Sequence, residues 1–160
     1  MKISVIGSSS DGNTIICQSD DDVFILDAGM NIKDVMIALD HDISNIKFVA
    51  VTHKDSDHAK YIKEYLKLGI SVYMPPQVKE KYKSSYNALA LEPLKNEKCG
   101  RYKIIPFEVP HGEDVTWWMR HTVRMTYRGR VSIMLWSSAI TLIIWLIVML
   151  RIMFTLWRTI

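Results

Sequence analysis

Cysteine is scarce in this 160-residue sequence: only Cys17 and Cys99 occur, and they lie far apart without CxxC spacing. This scarcity excludes a disulfide framework and a cysteine-based zinc site. It is typical of proteins in a reducing compartment, so we expect a cytoplasmic protein. No signal peptide is expected either, because the first strand reaches Gly7 before any long apolar run.

Acidic residues and lysines are missing from the C-terminal part of the chain. All 17 acidic residues lie at or before Asp114, and residues 1–114 carry 14 basic residues against them, a net charge of −3. Residues 115–160 hold six arginines and all five tryptophans, with neither acid nor lysine. The overall charge of +3 therefore averages two unlike parts, and it does not favour a nucleic-acid-binding module. We predict a domain over residues 1–114 followed by an Arg/Trp-rich tail over residues 115–160.

Short β-branched segments alternate with amphipathic segments in the first part of the chain, which predicts an α/β fold. Asn31 is expected to cap a helix that runs to about Leu39. The uninterrupted apolar run over residues 46–51 is typical of a strand covered on both faces. Further strands are expected over residues 2–6, 14–17, 23–26, 70–74, 89–94 and 101–109, and further helices over 60–68 and 77–82.

Four side chains that can bind metal fall within six residues, directly after the buried run: His53, Asp55, Asp57 and His58. Imidazole and carboxylate are ligands that suit zinc, iron and manganese. The alternative is a polar loop whose charged groups face solvent. Because the cluster follows an apolar strand, we interpret it as a metal site, and we add His111, which follows another strand beside a glycine.

Four segments, taken together, resemble the metallo-β-lactamase superfamily. Within it they are most similar to small metal-dependent hydrolases that open with strand-Gly-Ser-Ser-Ser-x-Gly-Asn, some of which act on nucleic acids. The resemblance covers residues 1 to about 114 and implies the N-terminal part of an αβ/βα sandwich. The segments, in the order of the family, are Gly7–Asn13, Ile25–Gly29, His53–His58 and Val109–Gly112.

The resemblance also implies a site for two adjacent metal ions. His53 and His111 would bind the first ion, and Asp57 and His58 the second. Asp27 would lie beneath the site and support the motif loop through hydrogen bonds. The expected cofactor is a divalent metal, Zn²⁺ first, as one or two ions.

The sequence departs from the family pattern in two places. Asp55 stands where the family usually has histidine; a carboxylate still binds zinc, but it shifts the preference toward iron or manganese. The family continues to a bridging aspartate and a late histidine, whereas no aspartate follows Asp114 and His121 comes too early. The active site therefore lacks two of the ligands that the family pattern implies.

The function implied by the resemblance is a metal-dependent hydrolase that uses a metal-activated hydroxide. A phosphodiester, as in a nucleic acid or nucleotide, is the expected substrate, because paired cations stabilise both the attacking and the leaving oxygen. Asp57 would be catalytic, orienting the nucleophile and accepting its proton. The alternative is a catalytically inactive domain that binds metal or is tethered to a membrane.

The tail contains an uncharged apolar run of twenty residues, 131–150. A helix of about 20 such residues spans a bilayer, and the preceding arginines would keep the N-terminal domain in the cytoplasm. The abrupt change of composition near Thr116 instead favours a change of reading frame or a truncation, which we prefer. A buried helix of a soluble domain is a third interpretation, although the run has no polar face.

Overall fold

A mixed sheet of six strands forms the centre of the computed structural model, which describes residues 2–19, 22–99, 102–109, 120–127 and 130–135. The strands lie in chain order, β1 to β6. The β1–β2 and β2–β3 pairs are antiparallel, and the pairs from β3 to β6 are parallel. The strands are β1 (Lys2–Ser9), β2 (Gly12–Ser19), β3 (Asp22–Leu26), β4 (Ile46–Ala50), β5 (Val72–Met74) and β6 (Ala88–Ala90).

A second sheet of four antiparallel strands lies in the order β10-β9-β8-β7. The short strand β7, which comes first of the four along the chain, was not expected from the sequence. The strand predicted over residues 89–94 is shorter in the structure, where β6 ends at Ala90. The strands are β7 (Glu97–Cys99), β8 (Tyr102–Val109), β9 (Arg120–Tyr127) and β10 (Arg130–Leu135).

Four short helices connect the strands of the first sheet: α1 (Ile32–Ala38), α2 (Ser56–Ala59), α3 (Ile62–Lys67) and α4 (Pro76–Lys79), the last followed by a 3₁₀ turn over Glu80–Tyr82. The side chain of Asn31 accepts a hydrogen bond from the backbone N–H of Lys33 at the start of α1, as predicted. The helix expected over residues 60–68 is confirmed as α3. A separate short helix, α2, precedes it and includes Asp57 and His58, so half of the metal-type cluster is helical rather than loop.

The central strands β3 and β4 of the first sheet are largely buried on both faces, as the sequence predicts for residues 46–51. Along β3, Ile25 packs toward the helices in one apolar cluster. Phe24 packs on the opposite face in a second cluster, with Phe48 of the neighbouring strand β4 and with Tyr102 of the antiparallel sheet. The rings of Phe24 and Phe48 stack with centroids 5.5 Å apart. The described residues thus form three layers: helices, the mixed sheet and the antiparallel sheet.

The predicted helix over residues 131–150 is wrong at its beginning, because Arg130–Leu135 forms strand β10 and pairs with β9. A short apolar run fits a buried strand as well as a helix, and pairing with a neighbour decides between them. Residues 136–150 lie outside the described part. Within the ranges that the structure describes, no helix is both long and apolar enough to cross a bilayer.

Candidate metal centre

The predicted cluster lies at the carboxyl ends of two neighbouring parallel strands, β3 and β4. Parallel strands end at the same edge of a sheet, so Asp27, which follows β3, lies beside Thr52 and His53, which follow β4. The backbone N–H of Asp27 donates to the carbonyl of Ala50 at 2.9 Å, which fixes the two loops together. The same edge is where open α/β sheets commonly bind ligands.

Asp27 is a buried carboxylate that accepts three hydrogen bonds. Its Oδ1 accepts from the backbone N–H and from the Oγ1 hydroxyl of Thr52, both at 2.8 Å. Its Oδ2 lies 2.7 Å from Nδ1 of His58. The backbone of Asp27 has φ 60°, a left-handed conformation that aspartate tolerates better than most residues. Asp27 therefore joins both halves of the cluster from beneath, in the position that the resemblance implies.

In a neutral imidazole, the same bonds favour the tautomer with its proton on Nδ1. The single hydroxyl proton of Thr52 is donated to Asp27, so its oxygen accepts from Nδ1 of His53, 2.9 Å away. Nδ1 of His58 likewise donates to the carboxylate of Asp27. In the neutral form, each of these buried histidines then presents the lone pair of its Nε2.

Each Nε2 faces a carboxylate oxygen at 3.2 Å: Asp55 Oδ2 for His53, and Asp57 Oδ2 for His58. Nε2 of a neutral imidazole and a carboxylate oxygen both carry lone pairs, so they repel each other at this distance. They attract only when a positive charge lies between them, either a proton on Nε2 or a metal ion. The two imidazole rings lie 4.0 Å apart, so the pairs are adjacent. Asp55 and Asp57 are 51% and 26% exposed, which leaves the carboxylates open to solvent while the imidazoles are buried.

The chemistry and spacing of these donors fit a divalent cation. Two ligands about 2.1 Å from one ion lie about 3.0 to 3.4 Å apart at octahedral to tetrahedral angles, a range that includes 3.2 Å. Each pair offers two donors. Among the described residues, no group of three or more His, Cys, Asp or Glu side chains is arranged around one point. The remaining predicted ligand, His111, lies outside those residues.

The Gly7–Asn13 segment forms the tip of the β1–β2 hairpin and packs against this centre. Asn13 Nδ2 lies 2.8 Å from Oδ2 of Asp57 and 3.1 Å from Nε2 of His58. Gly29 allows this close approach, because a Cβ there would lie 1.7 Å from the carbonyl oxygen of Asp57. Asn13 and Thr52 were not among the predicted site residues, although Asn13 ends the Gly7–Asn13 segment and Thr52 directly precedes the His53–His58 segment.

Comparisons with known proteins place this arrangement in a fold. No family model matches the chain, and no curated protein matches it. Solved structures do match. One is the metallo-β-lactamase fold protein YhfI from Bacillus subtilis, with TM-score 0.64 and 16% identity over 81% of this chain and 59% of that one. Another is a diphosphatase of the PhnP family, with TM-score 0.60 and 16% identity over 77% of this chain and 61% of that one.

The human short-form tRNase Z matches as well, with TM-score 0.58 and 12% identity over 82% of this chain and 67% of that one. The chain therefore has the metallo-β-lactamase fold, which confirms the fold that the resemblance implied. It spans about three-fifths of the length of the first two structures.

Proposed function

We propose that this chain, which has the metallo-β-lactamase fold, is a metal-dependent hydrolase directed at phosphodiesters. The observation that carries the proposal is the pair of buried histidines, each with Nδ1 hydrogen-bonded and Nε2 facing a carboxylate oxygen at 3.2 Å. This orientation is the one that metal-ligating histidines have when a second group fixes the ring. His53 and Asp55 would hold one ion, and Asp57 and His58 another.

The chemistry that a divalent cation supplies in such a site is the generation of hydroxide from water near neutral pH. The protein's own residues then have separable tasks. Asp27 and Thr52 hold the two imidazoles in position from the buried side. Asp57, which is partly exposed, is the carboxylate placed to orient the attacking water and accept its proton.

Two exposed lysines support the choice of an anionic substrate. Lys54 lies within the cluster, and Lys60 directly follows α2, with its Nζ 5.2 Å from the ring centroid of Tyr61. Lys54 lies between His53 and Asp55 in the sequence, and Lys60 lies two residues after His58. A phosphodiester would meet their positive charge, and phosphate oxygens are suitable partners for lysine as a point charge. Two of the structures with this fold are named as a diphosphatase and a tRNase.

The experiment is metal analysis of the purified full chain together with hydrolysis of bis(p-nitrophenyl) phosphate. At least one ion per chain and measurable turnover are expected. Replacing His58 by alanine should lower turnover by more than about 100-fold, because a ligand and the partner of Asp27 are both lost. His41→Asn is the matched control: His41 is exposed on a turn with φ 63°, which asparagine tolerates.

The outcomes distinguish the parts of the proposal. A chain that binds no ion and has no turnover refutes it. Hydrolysis of the β-lactam nitrocefin without hydrolysis of the phosphodiester would overturn the substrate class alone. Equal loss of turnover in His58→Ala and His41→Asn would show that the metal pair is not responsible.

The second candidate is a metal-binding domain without activity. It is favoured by the two-donor pairs, since no three metal-type side chains converge in the described part of the chain. Bound metal without turnover on any of the substrates would support this alternative.

A further inference from the structure

Asn13 makes more contacts than its amide group can satisfy at once. Its Nδ2 lies 2.9 Å from the carbonyl oxygen of Ser9, 2.8 Å from Oδ2 of Asp57 and 3.1 Å from Nε2 of His58. An amide nitrogen carries two hydrogens, and all three neighbours are acceptors, since Nδ1 of His58 already carries the proton given to Asp27. One of the three contacts must therefore be weak.

The opposite orientation of the amide does not resolve this conflict. Rotating the group by 180° would place its oxygen against a carbonyl oxygen and a carboxylate oxygen, which repel it. The nitrogen therefore faces the three acceptors. Only a change in one of those acceptors can bring the number of donors and acceptors into balance.

A cation bound by Asp57 and His58 would make that change. Nε2 of a neutral imidazole has one lone pair, and a ligand bond uses it. A carboxylate oxygen has a second lone pair, so Asp57 can bind an ion and still accept a hydrogen bond. The two hydrogens of Asn13 then match two acceptors, the carbonyl of Ser9 and Oδ2 of Asp57. A neutral His58 therefore leaves Asn13 with one acceptor too many, and an ion on Nε2 of His58 removes that excess.

We infer that Asn13 is a positioning residue that holds Asp57 in place as a ligand and thereby raises the affinity of the Asp57–His58 pair for a divalent cation. The inference rests on the proposed function, because it requires this pair to bind metal. It assigns a task to the last residue of the Gly-Ser hairpin tip. Besides the hydrogen bond from Asn13 to the carbonyl of Ser9, the hairpin turn is closed by the Ser9–Gly12 pair and by a hydrogen bond from the N–H of Asp11 to Ser9 Oγ.

The test is a titration of the full chain with Co²⁺, followed through its visible absorption bands, which report the ligands around the ion. Asn13→Ala should weaken binding about 10- to 100-fold, as expected for loss of a hydrogen bond to a metal ligand, and should change the bands of that ion. Ser10→Ala is the control, since Ser10 is an exposed residue of the same turn. It should leave affinity and spectrum unchanged.

Thermal unfolding in EDTA shows whether each variant is folded, and Asn13→Ser replaces the alanine variant if that one is not. Wild-type protein that binds no Co²⁺ would refute the proposed function itself. Wild-type and Asn13→Ala proteins that bind Co²⁺ with equal affinity and identical spectra would overturn only the role of Asn13. Equal weakening by Ser10→Ala would assign the effect to the hairpin and would also overturn it.

Discussion

Replacing Asp27 by asparagine changes one atom beneath the metal centre and keeps the shape of the side chain. Asn has one acceptor oxygen, which can stay at the two donors of Thr52. Its NH₂ group then faces Nδ1 of His58, where Asp27 has Oδ2 at 2.7 Å. His58 must respond by accepting at Nδ1 and carrying its proton on Nε2. The lone pair that a cation needs is thereby lost.

The expected cost to folding is moderate, whereas the cost to ion binding is large. Loss of one hydrogen bond to a charged acceptor lowers the free energy of unfolding by about 1.5–3 kcal/mol, out of a usual total of about 5–15 kcal/mol. Asparagine tolerates the φ of 60° at this position, so no backbone strain is added. Affinity for Zn²⁺ should fall about 10- to 100-fold, the usual effect of removing a partner of a ligating histidine.

The assay is competition for Zn²⁺ with a chromogenic chelator, together with urea unfolding in EDTA. Asp22→Asn is the matched control, because Asp22 is a buried carboxylate at the opposite end of the same strand, 3.6 Å from Lys47 Nζ. It should lose stability but keep its affinity for Zn²⁺. Unchanged affinity in Asp27→Asn, or an equal loss in Asp22→Asn, would refute the proposed linkage between Asp27 and the ligand nitrogen of His58.

Two further substitutions test the packing around the centre and the buried thiol. Gly29→Ala places a Cβ 1.7 Å from the carbonyl oxygen of Asp57, so it should lower the free energy of unfolding by more than about 2 kcal/mol, measured in urea, and weaken Zn²⁺ binding. Gly69→Ala is the control, because it is strained only by its φ of 77° and should leave Zn²⁺ binding unchanged. Equal effects of the two substitutions on Zn²⁺ binding would contradict this reasoning. Burial raises the pKa of Cys17 from 9.0 to about 12, so between these values the unfolded chain releases a proton that the folded chain keeps. Stability should therefore fall as pH rises through that range, by up to about 1.4 kcal/mol per unit, and Cys17→Val should reduce the slope measured by urea unfolding from pH 8 to 10.5; an unchanged slope would contradict it.

The sequence predicts those parts of the fold that depend on local pattern. The run before His53 is a strand covered on both faces, and the helix capped by Asn31 begins where expected. Patterns that depend on a distant partner were harder to interpret. The apolar run that begins at residue 131 reads as a helix by hydropathy, yet its first residues pair with β9 because that neighbour supplies the hydrogen bonds.

The candidate site shows the same division. Residue type and spacing pointed to His53, Asp55, Asp57 and His58, and the structure brings these four side chains together in two adjacent pairs. The contact of Asn13 with Asp57 joins residues 44 positions apart, so no local pattern could reveal it. The sequence also could not predict the tautomers of His53 and His58, because these depend on which oxygen lies beside each Nδ1.

The geometry also distinguishes the His53–Asp55 pair from the Asp57–His58 pair. Asp55, which replaces the usual histidine, is 51% exposed, and its described contact in the centre is with His53. Asp57 is 26% exposed and is also held by Asn13, while its partner His58 is fixed by Asp27. A ligand that is already held in place loses less conformational freedom when it binds an ion. We therefore expect the Asp57–His58 pair to bind its ion with higher affinity than the His53–Asp55 pair. The departure at Asp55 would then affect only the ion proposed for the His53–Asp55 pair and not the ion proposed for Asp57 and His58.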